Sequence, residues 1–208
     1  MKRILNLTAK LSILLLPALL AAQQLDPTEL LKKLGTTGDW ATYGGDYTGR
    51  RYSSLTQLNQ TTVKNLTLAW SSKLLGGTQG RRPGPNLIVG GIGTLEANAL
   101  ANIKGSPLQV DGIIYASTPD NAWAMDARDG HEIWHYVWKT RGGTHIGNRG
   151  LGMWHNRLYM ETPDDVLLCL DAKTGKEVWH KDIADFALEY FSTPALSVHL
   201  RFCSAPST

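Results

Sequence analysis

Residues able to do chemistry are scattered through this chain in patterns that mostly cancel one another. Four histidines, His131, His135, His145 and His155, suggest a metal centre at first sight. They fall in turn and strand positions without the compact ligand spacing that protein metal sites use, so surface and strand roles are expected. Asp164-Asp165 and Asp182/Asp185 are paired acids of the kind used for proton transfer, yet nothing in their surroundings raises them above solvated turn residues. The glycine run "GGIG" (90–93) lacks the following helix that a phosphate cradle needs. Arg81-Arg82 reads as a solvated basic pair. No catalytic residue and no metal ligand is assigned on this ground.

One spacing does recur. "AMDARDGHEIW" (124–134) and "CLDAKTGKEVW" (169–179) share an Asp-Ala-basic-x-Gly core ending in Glu, a β-branched residue and Trp. Asp126, Gly130 and Trp134 recur as Asp171, Gly175 and Trp179, each 45 residues later. "VDGIIYASTPD" (110–120) is echoed by "WHNRLYMETPD" (154–164) at about the same offset, so the repeat is two hairpins long. A period of 40–50 residues with four strands per unit is the mark of a β-propeller blade. The Asp can accept backbone N–H bonds to brace a turn, and the Gly supplies positive φ there. The Trp offers a large flat surface that can wedge against a neighbouring blade.

The elements that must position these residues are short strands. Twenty-one glycines and seven tryptophans in 208 residues favour all-β architecture. Asp111-Gly112, Asp129-Gly130, His155-Asn156 and Thr174-Gly175 are read as turns, the second-last the weakest signal. "TTVKNLTLAWSSKL" (61–74) alternates Leu66, Leu68 and Trp70 and is expected to be a strand. Residues 76–105, rich in glycine and proline, are expected to be a long exposed loop. Before them, residues 23–37 read as a short helix (27–34) with its linker.

Residues 1–22 have three bases, an apolar core from Leu11 to Leu20 and then Ala21-Ala22, the layout of a secretory signal peptide. The run is too short to span a bilayer comfortably, so no stable membrane span is expected. A periplasmic or secreted chain follows. Removing the segment takes three of the 21 bases and none of the 18 acids, leaving the two signs equal. A nucleic-acid partner thereby loses its support. Export permits a disulfide between Cys169 and Cys203. Cys169 in its apolar run reads as a buried thiol, and the pairing stays open.

The Asp…Thr-Gly-Lys…Trp pattern resembles the tryptophan-docking motif of quinoproteins, the PQQ-dependent alcohol dehydrogenases of the methanol/ethanol type. "DWATYGGDYTGRRYSSLTQLNQTTVKNLTLAW", "KGSPLQVDGIIYASTPDNAWAMDARDGHEIW" and "GGTHIGNRGLGMW" carry the same resemblance in order, over about residues 38–195. It implies an all-β fold, part of an eight-bladed β-propeller with PQQ and Ca²⁺ on the axis. It also implies oxidation of primary alcohols by hydride transfer to PQQ, with a periplasmic electron acceptor such as cytochrome c. In that family calcium polarises the quinone carbonyls and an Asp serves as general base.

Carried over by residue, the resemblance puts Arg149 ("NRGLG") against the cofactor, where a planar cation suits PQQ's carboxylates. Thr193 ("YFSTPA") matches a hydroxyl that bonds the cofactor. Lys104 stands where the family often has a glutamate, and a lysine pairs with a carboxylate by a different contact. Gly143-Thr144 stand where the family has adjacent cysteines, so that disulfide ring is not expected. The family's calcium-ligating Glu and Asn and its catalytic Asp belong to segments beyond the matched ones. The chain is therefore expected to be an N-terminal part, inactive alone, with 196–208 a divergent tail, as if frameshifted. Two rivals stay open: a non-catalytic propeller scaffold of the outer-membrane-assembly type, and a sugar dehydrogenase of the same cofactor class.

Overall fold

Apolar residues alternating with period two, interrupted by Gly-containing turns, build nine strands among the described residues of the computed structural model. The structure describes residues 38–46, 49–74, 86–93, 103–142, 148–188, 190, 192–196 and 198. The strands are β1 (Leu87–Gly91), β2 (Leu108–Val110), β3 (Ile113–Thr118), β4 (Asn121–Asp126) and β5 (Glu132–Lys139), then β6 (Gly152–Trp154), β7 (Arg157–Glu161), β8 (Val166–Asp171) and β9 (Glu177–Asp182). Strands β2 to β5 form one antiparallel meander, with β1 added parallel along the outer side of β5. Strands β6 to β9 form a second meander in chain order.

The two meanders are copies in detail. The β2–β3 turn has Asp111 and Gly112 at φ 50° and 77°, as a type I′ hairpin requires. Each meander carries a bulge between its third and fourth strands, at Ala124/Met125 in one and Cys169/Leu170 in the other. The core lies between the sheets: Tyr115, Trp134, Tyr136 and Trp138 meet Leu158, Met160, Leu168 and Leu170. The opposite face of the second meander holds Trp154, Tyr159 and Cys169, covered in part by Trp179, Leu196 and Val198. Cys169 is buried there, and Cys203 lies outside the described residues.

Two expectations need correction. Residues 61–74 are not a strand: Val63–Asn65 make one 3-10 turn, and Leu66 and Leu68 are 60% and 82% exposed. The alternation there belongs to an extended segment held by Trp70, with no ladder partner among the described residues. Residues 76–105 are not simply a loop, because 87–91 pair with β5 from Leu87↔His135 to Gly91↔Lys139. Glycine permits this close approach. A Cβ at Gly90 would strike the Tyr136 hydroxyl, one at Gly93 would strike the Thr140 carbonyl, and Gly91 sits at φ 79°. The "GGIG" run is thus a backbone-docking element. The signal peptide, the helix 27–34 and Arg81-Arg82 lie outside the described residues.

Candidate functional site

The recurring motif forms a corner after the third strand of each meander. The Gly130 N–H donates to the Asp126 carbonyl and the Gly175 N–H to the Asp171 carbonyl, both at 2.8 Å. Asp126 Oδ1 accepts the Arg128 N–H at 2.8 Å, and Asp171 Oδ1 accepts those of Lys173 and Thr174 at 3.1 and 3.0 Å. Arg128 also forks onto both Asp126 oxygens and, with those N–H bonds, holds that carboxyl well below the usual range. Each corner receives a tryptophan from the preceding repeat. The Trp134 indole N–H donates to the Ala172 carbonyl at 3.0 Å, with its ring over Gly175. The Trp70 N–H donates to the Ala127 carbonyl at 3.0 Å, with its ring over Gly130. Trp70 went unrecognised in the sequence because the long segment after it stretches its distance from Trp134 to 64 residues. A Trp closing an extended apolar run was the available signal.

Lys104 and Arg149 occupy the same place in the two repeats, 45 residues apart, and Thr193 follows Arg149 by 44. Lys104 lies four residues before β2 and Arg149 three before β6, and both are exposed. The structure brings these two lead-in segments together: the Ser106 N–H donates to the Arg149 carbonyl at 3.2 Å. Gly105 sits so close that a Cβ there would be 2.6 Å from the Arg149 carbonyl carbon. Thr193 is half-buried three residues before Leu196, which lies against Gly152 of β6.

Two residues that the motif reading passed over join this arc. Asn148, buried, accepts the Ser117 hydroxyl at 2.8 Å and the Gly150 N–H at 2.7 Å through Oδ1, and its amide donates to the Glu161 carbonyl at 3.1 Å. The Glu161 side chain, 9% exposed, hydrogen-bonds with Ser192, the neighbour of Thr193. Burial holds the Glu161 carboxyl above its usual range, opposed by the Ser192 hydroxyl and reinforced by the charge of Asp165. Their only sequence signal was position, immediately beside the matched Arg149 and at the end of a strand. A cavity of about 320 Å³ lies beside β6, bounded by Thr42, Tyr43, Arg51, Met153, Leu196 and Val198.

Of the paired acids, Asp182 and Asp185 are exposed as expected, but Asp164-Asp165 are not solvated turn residues. Asp164 and Asp165 are buried, and Asp164 links the two meanders. It accepts the Trp138 indole N–H at 2.9 Å and the Arg141 backbone N–H at 3.0 Å, while Arg141 also reaches Asp182 at 2.6 Å. A charge-bearing turn can be buried because the neighbouring repeat supplies its donors, which single-sequence reading does not reveal. His135 is fully buried, stacked on Trp123 at 4.7 Å, with Nε2 at 2.7 Å from Asn121 Oδ1. His131 pairs with exposed Asp129 at 2.7 Å, and His145 lies outside the described residues.

Antiparallel four-stranded meanders, each receiving at its corner a tryptophan from the segment before it, define blades of a β-propeller. The chain belongs to the PQQ family of propellers: the model "PQQ: Glucose/ethanol/alcohol dehydrogenase, beta-propeller domain" matches residues 40–180. Quinohemoprotein alcohol dehydrogenase of Comamonas testosteroni is 34% identical over 172 residues, covering 78% of this chain and 21% of that protein. The quinone-dependent 1-butanol dehydrogenase of Thauera butanivorans is 33% identical over 165 residues, with coverage of 77% and 23%. The crystal structure of the Comamonas testosteroni enzyme superposes with a TM-score of 0.59 at 33% identity, over 76% of this chain and 21% of that one. The chain spans about a fifth of the length of these relatives. No helix among the described residues is long and apolar enough to cross a membrane.

Proposed function

We propose that this chain supplies part of the cofactor-holding wall of a periplasmic PQQ-dependent dehydrogenase acting on primary alcohols, and that by itself it binds without turning over. The observation that carries the reading is the arc of lead-in segments. Family membership supplies the cofactor class, and this arc supplies groups that suit it. Lys104 and Arg149 are exposed cations on touching segments, Thr193 adds a hydroxyl, and buried Asn148 fixes the backbone between them. Cations and hydroxyls from a rigid frame fit a planar polycarboxylate such as PQQ.

In this reading Arg149 holds a carboxylate in fork geometry and Lys104 pairs with another as a point charge. Thr193 donates a hydrogen bond and orients the ring system. When bound, PQQ with its calcium ion supplies the hydride acceptor for alcohol oxidation. A periplasmic acceptor of the cytochrome c kind would take the electrons, and the signal-like residues 1–22 would direct export. In this reading the base and the calcium ligands come from segments other than this arc.

Fluorescence titration of the chain with PQQ tests this. Saturable quenching that weakens about tenfold or more in Arg149→Ala supports it, since a hydrogen bond to a charged group contributes roughly 1.5–3 kcal/mol. Absence of binding overturns it. Dye-linked alcohol oxidation by the chain alone, with PQQ and Ca²⁺ added, would overturn the claim that it does not turn over.

A further inference from the structure

We propose that Ser117 and Asn148 are positioning residues for Arg149: a serine of the first meander, acting through an asparagine side chain, sets the direction in which the Arg149 guanidinium leaves the second. The inference rests on the cofactor reading above and assigns the residues that aim its forked anion contact.

Arg149 is an exposed residue between two buried ones, Asn148 and Gly150. Asn148 Oδ1 accepts the Gly150 N–H at 2.7 Å, which closes an Asx-turn with Arg149 at its centre. That turn fixes the Arg149 backbone and with it the line along which the side chain departs. The turn is itself anchored from outside. The Ser117 hydroxyl, 2% exposed near the end of β3, donates to the same Oδ1 at 2.8 Å. The Asn148 amide donates to the Glu161 carbonyl at the end of β7, at 3.1 Å. From the other side, the Arg149 carbonyl accepts the Ser106 N–H at 3.2 Å, and Gly105 packs against it. Three bonds from separate segments therefore hold one amide side chain beside one exposed cation.

The matching place in the first meander lacks this device. Ile103 stands 45 residues before Asn148, is 39% exposed, and has no side-chain oxygen to close a turn around Lys104. The difference follows the chemistry of the two cations. A guanidinium grips a carboxylate through a planar fork, so its direction matters, whereas an ammonium is a point charge on a flexible stem. A buried polar network under the arginine, absent under the lysine, is what an orienting role requires.

The test is a double-mutant cycle: PQQ titration of the full-length wild type, Ser117→Ala, Arg149→Ala and the double variant, with urea unfolding of each. Ser117→Ala is expected to weaken PQQ binding about two- to tenfold, the range one hydrogen bond supplies, and to have no further effect on affinity once Arg149 is alanine. A merely structural role would lower affinity by the same factor in both backgrounds. Equal losses in the two backgrounds, or wild-type affinity in Ser117→Ala, overturn the positioning role and leave the cofactor reading standing. Asn148→Ala, carried through the same cycle, is expected to show the same dependence on Arg149 with a larger loss. Should it fail to fold, the Ser117 cycle decides alone. Failure of the wild type to bind PQQ removes both readings.

Discussion

The corners at 124–134 and 169–179 have the same turn, the same bulge and the same Asp–Gly brace, yet their tryptophans fare differently. Trp134 is 2% exposed, with its indole N–H on Ala172 and its ring tilted against Tyr115 at 6.1 Å. Trp179 is half-buried, set against Tyr159 at 6.1 Å. Beside them, Ile133 packs on the core while Val178 is 44% exposed. Local sequence therefore makes the corner, and the neighbouring blade makes the burial. A propeller's stability resides largely in contacts between repeats, as in other repeat architectures.

The largest test of that contrast is Trp134→Ala. It removes a fully buried indole and leaves the Ala172 carbonyl without its donor, a loss of about 3–5 kcal/mol in urea unfolding. The receiving side should be nearly as sensitive. Gly175→Ala forces a Cβ to 2.5 Å from Trp134 Cδ2 at φ 69°. The backbone costs about 1–2 kcal/mol and the overpacking roughly 1–3 more. Gly112→Ala has a similar φ of 77° but meets nothing within 4 Å, so only the backbone cost remains. Equal losses at the two glycines would show that the docked indole does not set the cost.

Asp164 sharpens the comparison through pH. Burial alone would raise its carboxyl, but hydrogen bonds from Thr162, the Arg141 backbone, Trp138 and the Arg141 side chain hold it below the usual range. A depressed carboxyl stabilises the fold fully above the unfolded value near 4, and the contribution drains as pH falls through the folded value. Asp164→Asn is therefore expected to cost about 2 kcal/mol at neutral pH and progressively less in acid. Asp165 runs the other way: burial and the Asp164 charge push its carboxyl up, against Arg141, so Asp165→Asn should help most at neutral pH. Stability–pH curves that move in parallel for both variants would contradict this division of roles.

What the sequence disclosed divides along the same line. The repeat, its turns and its corner residues were legible because Asp126/Asp171 and Gly130/Gly175 act on their own backbone, within a few residues. The parallel pairing of β1 was hidden, because Gly90, Gly91 and Gly93 look like breakers until the β5 backbone is laid beside them. Asp164 resembled any polar turn residue, since its donors Trp138 and Arg141 stand 26 and 23 residues away. Asn148 and Glu161 likewise matter through partners distant in sequence. Arg149, Lys104 and Thr193 are reached by resemblance, and the shared place of Lys104 and Arg149 ahead of each meander emerges only with the strands in position.

The smallest effect is expected at Trp179→Ala. The motif around Trp179 is the better-braced of the two corners, with Asn156 and Arg157 also bonding Asp171 at 2.9 and 2.8 Å. If local bracing set the tryptophan's contribution, this substitution would cost at least as much as Trp134→Ala. If docking sets it, the half-buried indole gives up only the area it shares with Tyr159, Leu196 and Val198, roughly 1–2 kcal/mol. Unfolding of the two single variants side by side separates these accounts. A Trp179→Ala loss matching that of Trp134→Ala would mean that the corner itself, and not the blade beyond it, anchors the ring.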